Sequence, residues 1–239
     1  MITMNKKLGL LILPAAFLTW GALVARSVMP RPEKALPGRR KIACIGDSIT
    51  FGAGVMSKRK KLAWPYVLGQ KLGEDWQVLN YGISGATALL ESEVVFKKHH
   101  DFLDDAILAG PETYLLMLGT NDAKTVNWRA EDFYRDYNRM IDRMQIGSPQ
   151  ARVVLMTPAT AYPDPKAKDG STGFGIDRDT VHEQVAPMVR QIAEERELPL
   201  IDIHNYTAGH PEWFGDGVHP NAEGNRALAE YIFERLLAL

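Results

Sequence analysis

The chain has 239 residues, with 28 Lys and Arg against 29 Asp and Glu and a formal net charge of −1. A hydrophobic fraction of 46% and a charged fraction of 24% exclude global disorder, and near-neutrality removes any bulk electrostatic case for nucleic acid as a partner. The single cysteine, Cys44, excludes an intramolecular disulfide framework and a four-cysteine zinc site.

From the N-terminus, Lys6 and Lys7 precede an uncharged run over residues 8–25 that ends at Arg26. A signal-peptide apolar region is about 7–15 residues and a spanning helix about 20, so the run falls between the two. Residues 1–27 are expected to be a signal peptide or an N-terminal membrane anchor, attached to the membrane through 8–25 in the second case. The protein is then exported (periplasmic or extracellular) or held at the membrane. Arg26, Arg31, Lys34, Arg39, Arg40 and Lys41 follow the run, and this positive excess opposes translocation. Pro30, Pro32 and Pro37 set off residues 28–40 as a linker ahead of a single domain at 41–239.

Five short apolar runs predict strands at 42–45, 77–79, 114–118, 153–156 and 200–203. Four are nearly continuous in apolar residues, as suits strands buried on both faces of a parallel sheet. Segments of helical period lie between them. Phe133, Tyr134, Tyr137, Met140, Ile141 and Met144 form one stripe, and Val181, Val185, Met188, Val189 and Ile192 another. Thr180 with Glu183 reads as a capping box for the second, and Pro187 inside it predicts a kink or a shifted start. A last helix is expected to begin at Asn221 and to bury Ala227, Leu228, Tyr231, Ile232 and Leu236. Residues 158–175 read as a long Gly- and Pro-rich loop, of a length that is usually functional or mobile. Alternation of strands and helices predicts an α/β fold with right-handed crossovers.

In an open parallel sheet, ligands bind outside the carboxyl ends of the strands. The segments found there are Gly46-Asp47-Ser48, Asn80 to Gly85, and Gly119-Thr120-Asn121-Asp122, with Asp216-Gly217-Val218-His219 just ahead of the final helix. Serine, histidine and aspartate at one sheet edge are the parts of an acyl-transfer site. A serine hydroxyl needs a base to take its proton, and a carboxylate can fix the tautomer of that base. Gly85 can offer an unobstructed N–H, Asn121 an amide, and Ser48 its own N–H if it opens a helix.

These four blocks, in this order, resemble those of the GDSL esterase/lipase family, the SGNH hydrolases. The resemblance covers most of the chain after the linker. It implies a flavodoxin-like three-layer sandwich with a five-stranded parallel sheet of order 2-1-3-4-5. It also implies Ser48 as nucleophile, His219 as base, Asp216 as its orienter, and an oxyanion hole from Ser48, Gly85 and Asn121. The run from Asp47 to Val55 and the stretch from Gly119 to Trp128 are similar to bacterial sialate O-acetylesterase-like carbohydrate esterases. The expected activity is hydrolysis of carboxylic esters through an acyl-enzyme, with short-chain or O-acetyl esters of carbohydrates as substrates and no metal or organic cofactor. The alternatives are a lysophospholipase or thioesterase on longer acyl chains, and a catalytically silent carbohydrate-binding protein.

Other features are weighed beside these. Trp128 and Trp213 flank the Asn121 and Asp216 blocks and are candidate substrate-binding residues, with core packing as the competing reading. Lys58-Arg59-Lys60-Lys61 reads first as a solvated face and second as an attractor of anionic substrate to the site mouth. His182-Glu183 lacks the second histidine of a metalloprotease helix, since Ala186 stands there, and no G-x-S-x-G elbow is present.

Overall fold

The computed structural model describes residues 34–92 and 99–239. The segment expected to be a signal peptide or anchor, and residues 28–33 of the linker, lie outside the described residues. No helix among the described residues is long and apolar enough to cross a membrane.

Five parallel strands form one sheet: β1 (Arg40–Gly46), β2 (Trp76–Gly82), β3 (Thr113–Met117), β4 (Arg152–Met156) and β5 (Leu200–Ile201), in the order β2-β1-β3-β4-β5. This is the order implied by the resemblance. Side chains alternate across the sheet, so each strand feeds two cores. Ala43, Ile45, Leu79, Tyr114, Leu116 and Leu155 join one core, and Ile42, Cys44, Val78, Leu115, Val154 and Met156 join the other. Cys44 is wholly buried, and burial raises its thiol pKa well above the ordinary value. It is an inert part of the strand.

Helices cover both faces, giving three layers. After α1 (Ser48–Phe51) and α2 (Arg59–Leu62), helix α3 (Trp64–Leu72) packs Trp64 and Leu68 on the Cys44 side. On the Ala43 side lie α4 (His99–Leu108) and α5 (Ala130–Gly147). Helix α5 buries Phe133, Tyr137, Met140, Ile141 and Met144, while Tyr134, read as part of the same stripe, is 37% exposed and bonds Glu195 instead.

The next helix differs from expectation. Its cap is Asp177, whose side chain accepts the N–H of Thr180, so Thr180 lies inside the first turn and not at the cap. The chain then widens into a π turn at Val181–Val185 before α6 (Ala186–Glu195). Pro187 explains the change, because it cannot donate to the preceding turn and its ring crowds that turn's carbonyl. Helices α7 (Ile203–Thr207) and α8 (Ala222–Leu237) complete the Cys44 side. Asn221 caps α8 as expected, accepting the N–H groups of Glu223 and Gly224. The helix buries Leu228 and Ile232, but Asn225 and Ala229 take the innermost places assigned to Ala227, Tyr231 and Leu236, which are half-buried.

Candidate active site

The site forms where β1, β2 and β3 end. The chain leaves β1 at Gly46, and Asp47 caps α1, its carboxylate accepting the Ile49 N–H at 2.8 Å. Ser48 is therefore the first residue of that helix. Helix α1 lies directly on the end of β2: a Cβ on Gly82 would come within 2.2 Å of the Phe51 nitrogen. Asn80 fastens the same corner by donating to the Thr50 carbonyl at 2.8 Å and accepting the Gly82 N–H at 2.9 Å.

The Asp216–His219 segment arrives from the other side. Phe214 and Pro220 bridge in antiparallel fashion, closing a tight loop with Gly217 at φ +80°. The long 158–175 segment holds this loop through the Tyr162 N–H, which bonds the Gly217 carbonyl at 2.8 Å. Ser48 Oγ lies 2.8 Å from His219 Nε2, and His219 Nδ1 lies 2.8 Å from Asp216 Oδ2. The other oxygen of Asp216 accepts the backbone N–H groups of Val218 and His219 at 3.0 and 2.7 Å. Burial pushes the Asp216 carboxyl up, but the His219 ring and these two N–H groups outweigh it and hold the pKa down at about 2. An ionised Asp216 leaves the proton on Nδ1, so Nε2 presents a bare lone pair to the serine hydroxyl.

Two further donors line the same cavity as Ser48. Gly85 takes φ +84° in a turn closed by the Ala86 N–H on the Ile83 carbonyl at 3.0 Å, a conformation that favours glycine. Asn121 Nδ2 spends one hydrogen on the Ala86 carbonyl at 3.1 Å and keeps a second. Asn127 Nδ2 bonds the Asn121 carbonyl at 2.9 Å and so fixes that residue's backbone. Ser48, Gly85, Asn121, Asp216 and His219 all line one cavity of about 300 Å³, together with Lys124, Phe174 and Ile176.

Two buried carboxyls lie beneath this cavity. Asp122 accepts the N–H groups of Leu89 and Ala88 at 2.9 and 3.1 Å, tying the Asn121 block to the chain just after Gly85. Burial raises its pKa to about 7, against the pull of those two N–H bonds, and the nearby Asp47 adds to the rise. Burial raises the Asp47 pKa as well, opposed by Ile49, Thr120 and His219. The sign for stability follows from linkage. Between the unfolded value of 3.8 and about 7, the native protein holds a proton on Asp122 that the unfolded chain has released. The stability due to this group is complete below pH 3.8 and is lost as pH rises through 7. In Asp122→Asn that share of the pH dependence disappears. An amide accepts with one oxygen where the carboxyl accepts with two, so one buried N–H is orphaned at a cost of about 1–3 kcal/mol at pH 5. Urea unfolding at pH 5 and pH 8 measures both effects, and equal pH slopes for wild type and variant would contradict them.

The two candidate tryptophans are not in the cavity wall. Trp213 is 7% exposed, stacks on His210 at 3.9 Å, and through its carbonyl accepts the Asn221 N–H at 2.7 Å, so it buttresses the His219 loop from behind. Trp128 packs on Phe133 at 5.3 Å and donates its Nε1–H to Gln184 at 2.7 Å. Both sit beside the right motifs, but the Trp128 ring edge and the Trp213 ring face have partners elsewhere. The aromatic residue that does line the cavity is Phe174, in the 158–175 loop, with its ring nearly perpendicular to the His219 imidazole and the two centroids 4.9 Å apart. The basic run lies on α2 and the turn before it. Lys58, Lys60 and Lys61 line a separate surface hollow, and Arg59 covers the Phe51 ring at 4.2 Å. Among the described residues, no group of three or more His, Cys, Asp or Glu could hold a metal ion.

Residues 44–227 match the model of the GDSL-like lipase/acylhydrolase family, which is most of the chain. The chain belongs to the GDSL-like lipase/acylhydrolase family. It is 29% identical over 211 residues to an acetylxylan esterase of Xylanibacter ruminicola, an alignment that takes in 80% of this chain and 42% of that protein. The chain thus spans about two fifths of that relative's length. Among solved structures, an aryl esterase of M. smegmatis matches with a TM-score of 0.69 at 21% identity, over 84% of this chain and 99% of that one. A carbohydrate acetylesterase of Sinorhizobium meliloti matches with a TM-score of 0.69 at 20% identity, over the same two shares. At these identities the likeness establishes the shared fold, the five-stranded parallel sandwich of the SGNH hydrolases.

Proposed function

We propose that this chain is a serine carboxylic ester hydrolase that removes short acyl groups, acetyl foremost, from carbohydrates. The observation that carries the reading is the continuous hydrogen-bonded line from Asp216 through His219 to Ser48 Oγ, opening into a cavity that also holds Gly85 and Asn121. In the reaction, His219 Nε2 takes the Ser48 proton as the oxygen attacks the ester carbonyl. The Ser48 and Gly85 N–H groups and the Asn121 amide receive the negative oxygen. His219 then gives its proton to the departing alcohol, leaving an acyl-serine. A water deprotonated by His219 attacks that acyl carbon, and the acid leaves as Ser48 regains its proton.

Two facts favour short acyl groups over the long chains of a lysophospholipase or thioesterase. The cavity, about 300 Å³, is at the small end of ligand sites. The similar proteins include an acetylxylan esterase and a carbohydrate acetylesterase. Residues 1–27, read as a signal or anchor, would bring the enzyme to polysaccharide outside the cytoplasm. The test is a panel of aryl esters from acetyl to palmitoyl, beside acetylated oligosaccharides. The expected result is a kcat/KM that is highest for acetyl and falls with chain length, with acetate released from the sugars. Preference for chains of eight or more carbons would overturn the acyl assignment, and absence of any turnover would favour a silent binding protein.

A further inference from the structure

The long loop contributes a residue in a conformation that side-chain-bearing residues rarely adopt. Phe174 has φ +64° and is 61% exposed, yet its ring packs against the His219 imidazole, with centroids 4.9 Å apart and 75° between the planes. An exposed aromatic in the left-handed region needs a reason, and such residues concentrate at functional sites. Its place gives the reason. In acyl transfer, His219 delivers a proton to the leaving oxygen, so the alcohol lies beside the imidazole. The groups packed on that imidazole within the cavity therefore meet the alcohol and not the acyl group. An open ring face there is suited to the apolar face of a sugar ring.

The wall continues through Ile176, which bridges Lys124 in antiparallel fashion. Lys124 lines the same cavity. Among the described residues no carboxylate lies within ion-pair distance of its ammonium. The acid that shares the cavity, Asp216, is taken up by His219 and two backbone N–H groups. Asp47 is 1% exposed beneath the site. Burial lowers the Lys124 pKa, with Asp47 acting in the opposite sense. The cation is partly desolvated and held in no ion pair among the described residues, which strengthens its pull on an incoming anion.

Resting on the esterase reading above, we propose that Phe174 and Lys124 form the alcohol subsite and select esters of acidic sugars. The sugar ring stacks on Phe174 and its carboxylate meets the Lys124 ammonium. Both are specificity-determining residues.

The test compares a mono-O-acetylated methyl glucuronoside with its methyl ester, which removes the charge and adds one methyl group, both followed by release of acetate, with an aryl acetate as the control for turnover. Wild-type enzyme is expected to prefer the acid by about tenfold in kcat/KM at low salt, and the preference shrinks as salt is added. Lys124→Met keeps the aliphatic stem and should remove that preference, while Lys124→Glu should reverse it. Phe174→Leu should raise KM for both sugars relative to the aryl acetate by about tenfold. Wild type that turns over the aryl acetate but treats acid and ester alike, or turns over neither, would overturn the subsite while leaving the esterase reading intact. A Lys124→Met enzyme that keeps the full preference would also overturn it. A wild type inert toward the aryl acetate, with no acyl transfer at Ser48, would instead bring down the reading on which the subsite rests.

Discussion

Ser48→Ala is expected to lower kcat by at least ~10³-fold, with KM for the same ester little changed. The hydroxyl is the atom that the whole site addresses: it is 2.8 Å from His219 Nε2 and shares its cavity with the donors Gly85 and Asn121. Removing it leaves the cavity walls in place, along with the Ser48 N–H and the other donors. The variant can then bind ester and polarise its carbonyl but cannot form the acyl-enzyme. Residual turnover would come from water attacking in place of the serine, helped by the same donors. Folding should be nearly unaffected. Asp47 supplies the cap of α1 and Gly82 its seat on the sheet, and the lost hydrogen bond is worth about 1 kcal/mol. Steady-state kinetics with an aryl acetate, beside a thermal melt, separates the two effects. Turnover within tenfold of wild type would remove Ser48 from the chemistry.

The second large effect is expected at Asp216→Asn, a loss of ~10⁴-fold in kcat with the fold intact. The reason lies in how the two carboxylate oxygens are used. Oδ1 already accepts two backbone N–H groups, from Val218 and His219. An asparagine satisfies them with its carbonyl, which turns its NH₂ toward His219 Nδ1. Nδ1 must then accept, the proton moves to Nε2, and the ring can no longer take a proton from Ser48. Asp216→Ala would remove the loop's acceptor as well and so confound chemistry with stability. The ionised state also has a stability consequence. With its pKa held at about 2 against an ordinary 3.8, Asp216 stabilises the fold above pH 3.8 and loses that contribution as pH falls toward 2. The kinetics of Asp216→Asn are checked at pH 7 beside its melting temperature. A loss of less than tenfold would show that tautomer control is not what this carboxylate does.

These effects bear on how much of the molecule could be read from its residues. The strand order was available only through the family resemblance. The meeting of the blocks was legible because three of the four are local and end a strand, while the Asp216–His219 block stands just ahead of the final helix. Boundaries were less so. β2 runs on through Asn80 and Tyr81 to Gly82 because its backbone pairs with β1 as far as Gly46, a constraint that lies in the partner strand. β5 stops at Ile201, where Asp202 turns to cap α7 and to bind Arg190. Asn80, Asn127 and Asp136 were not singled out, although they hold the site's loops. Asp136 accepts the Leu90 N–H at 3.0 Å. Their roles depend on contacts between distant segments, which spacing along the chain does not encode. Proximity in sequence misdirected the tryptophans for the same reason. Phe174 lay in a loop whose length pointed to function or mobility, but its position against His219 depends on the Gly217–Tyr162 bond, between segments far apart in sequence.

The central claim is that an acyl group is carried on Ser48. A fluorophosphonate reports it most directly, since it leaves a stable phosphonyl group on the oxygen that attacks. Intact-mass and peptide analysis of wild type should show one phosphonyl group per chain, on Ser48. Ser48→Ala should take up none, and Asp216→Asn should label about 10³-fold or more slowly. A wild type that hydrolyses esters yet stays unlabelled at Ser48, or a Ser48→Ala chain labelled stoichiometrically elsewhere, would contradict it.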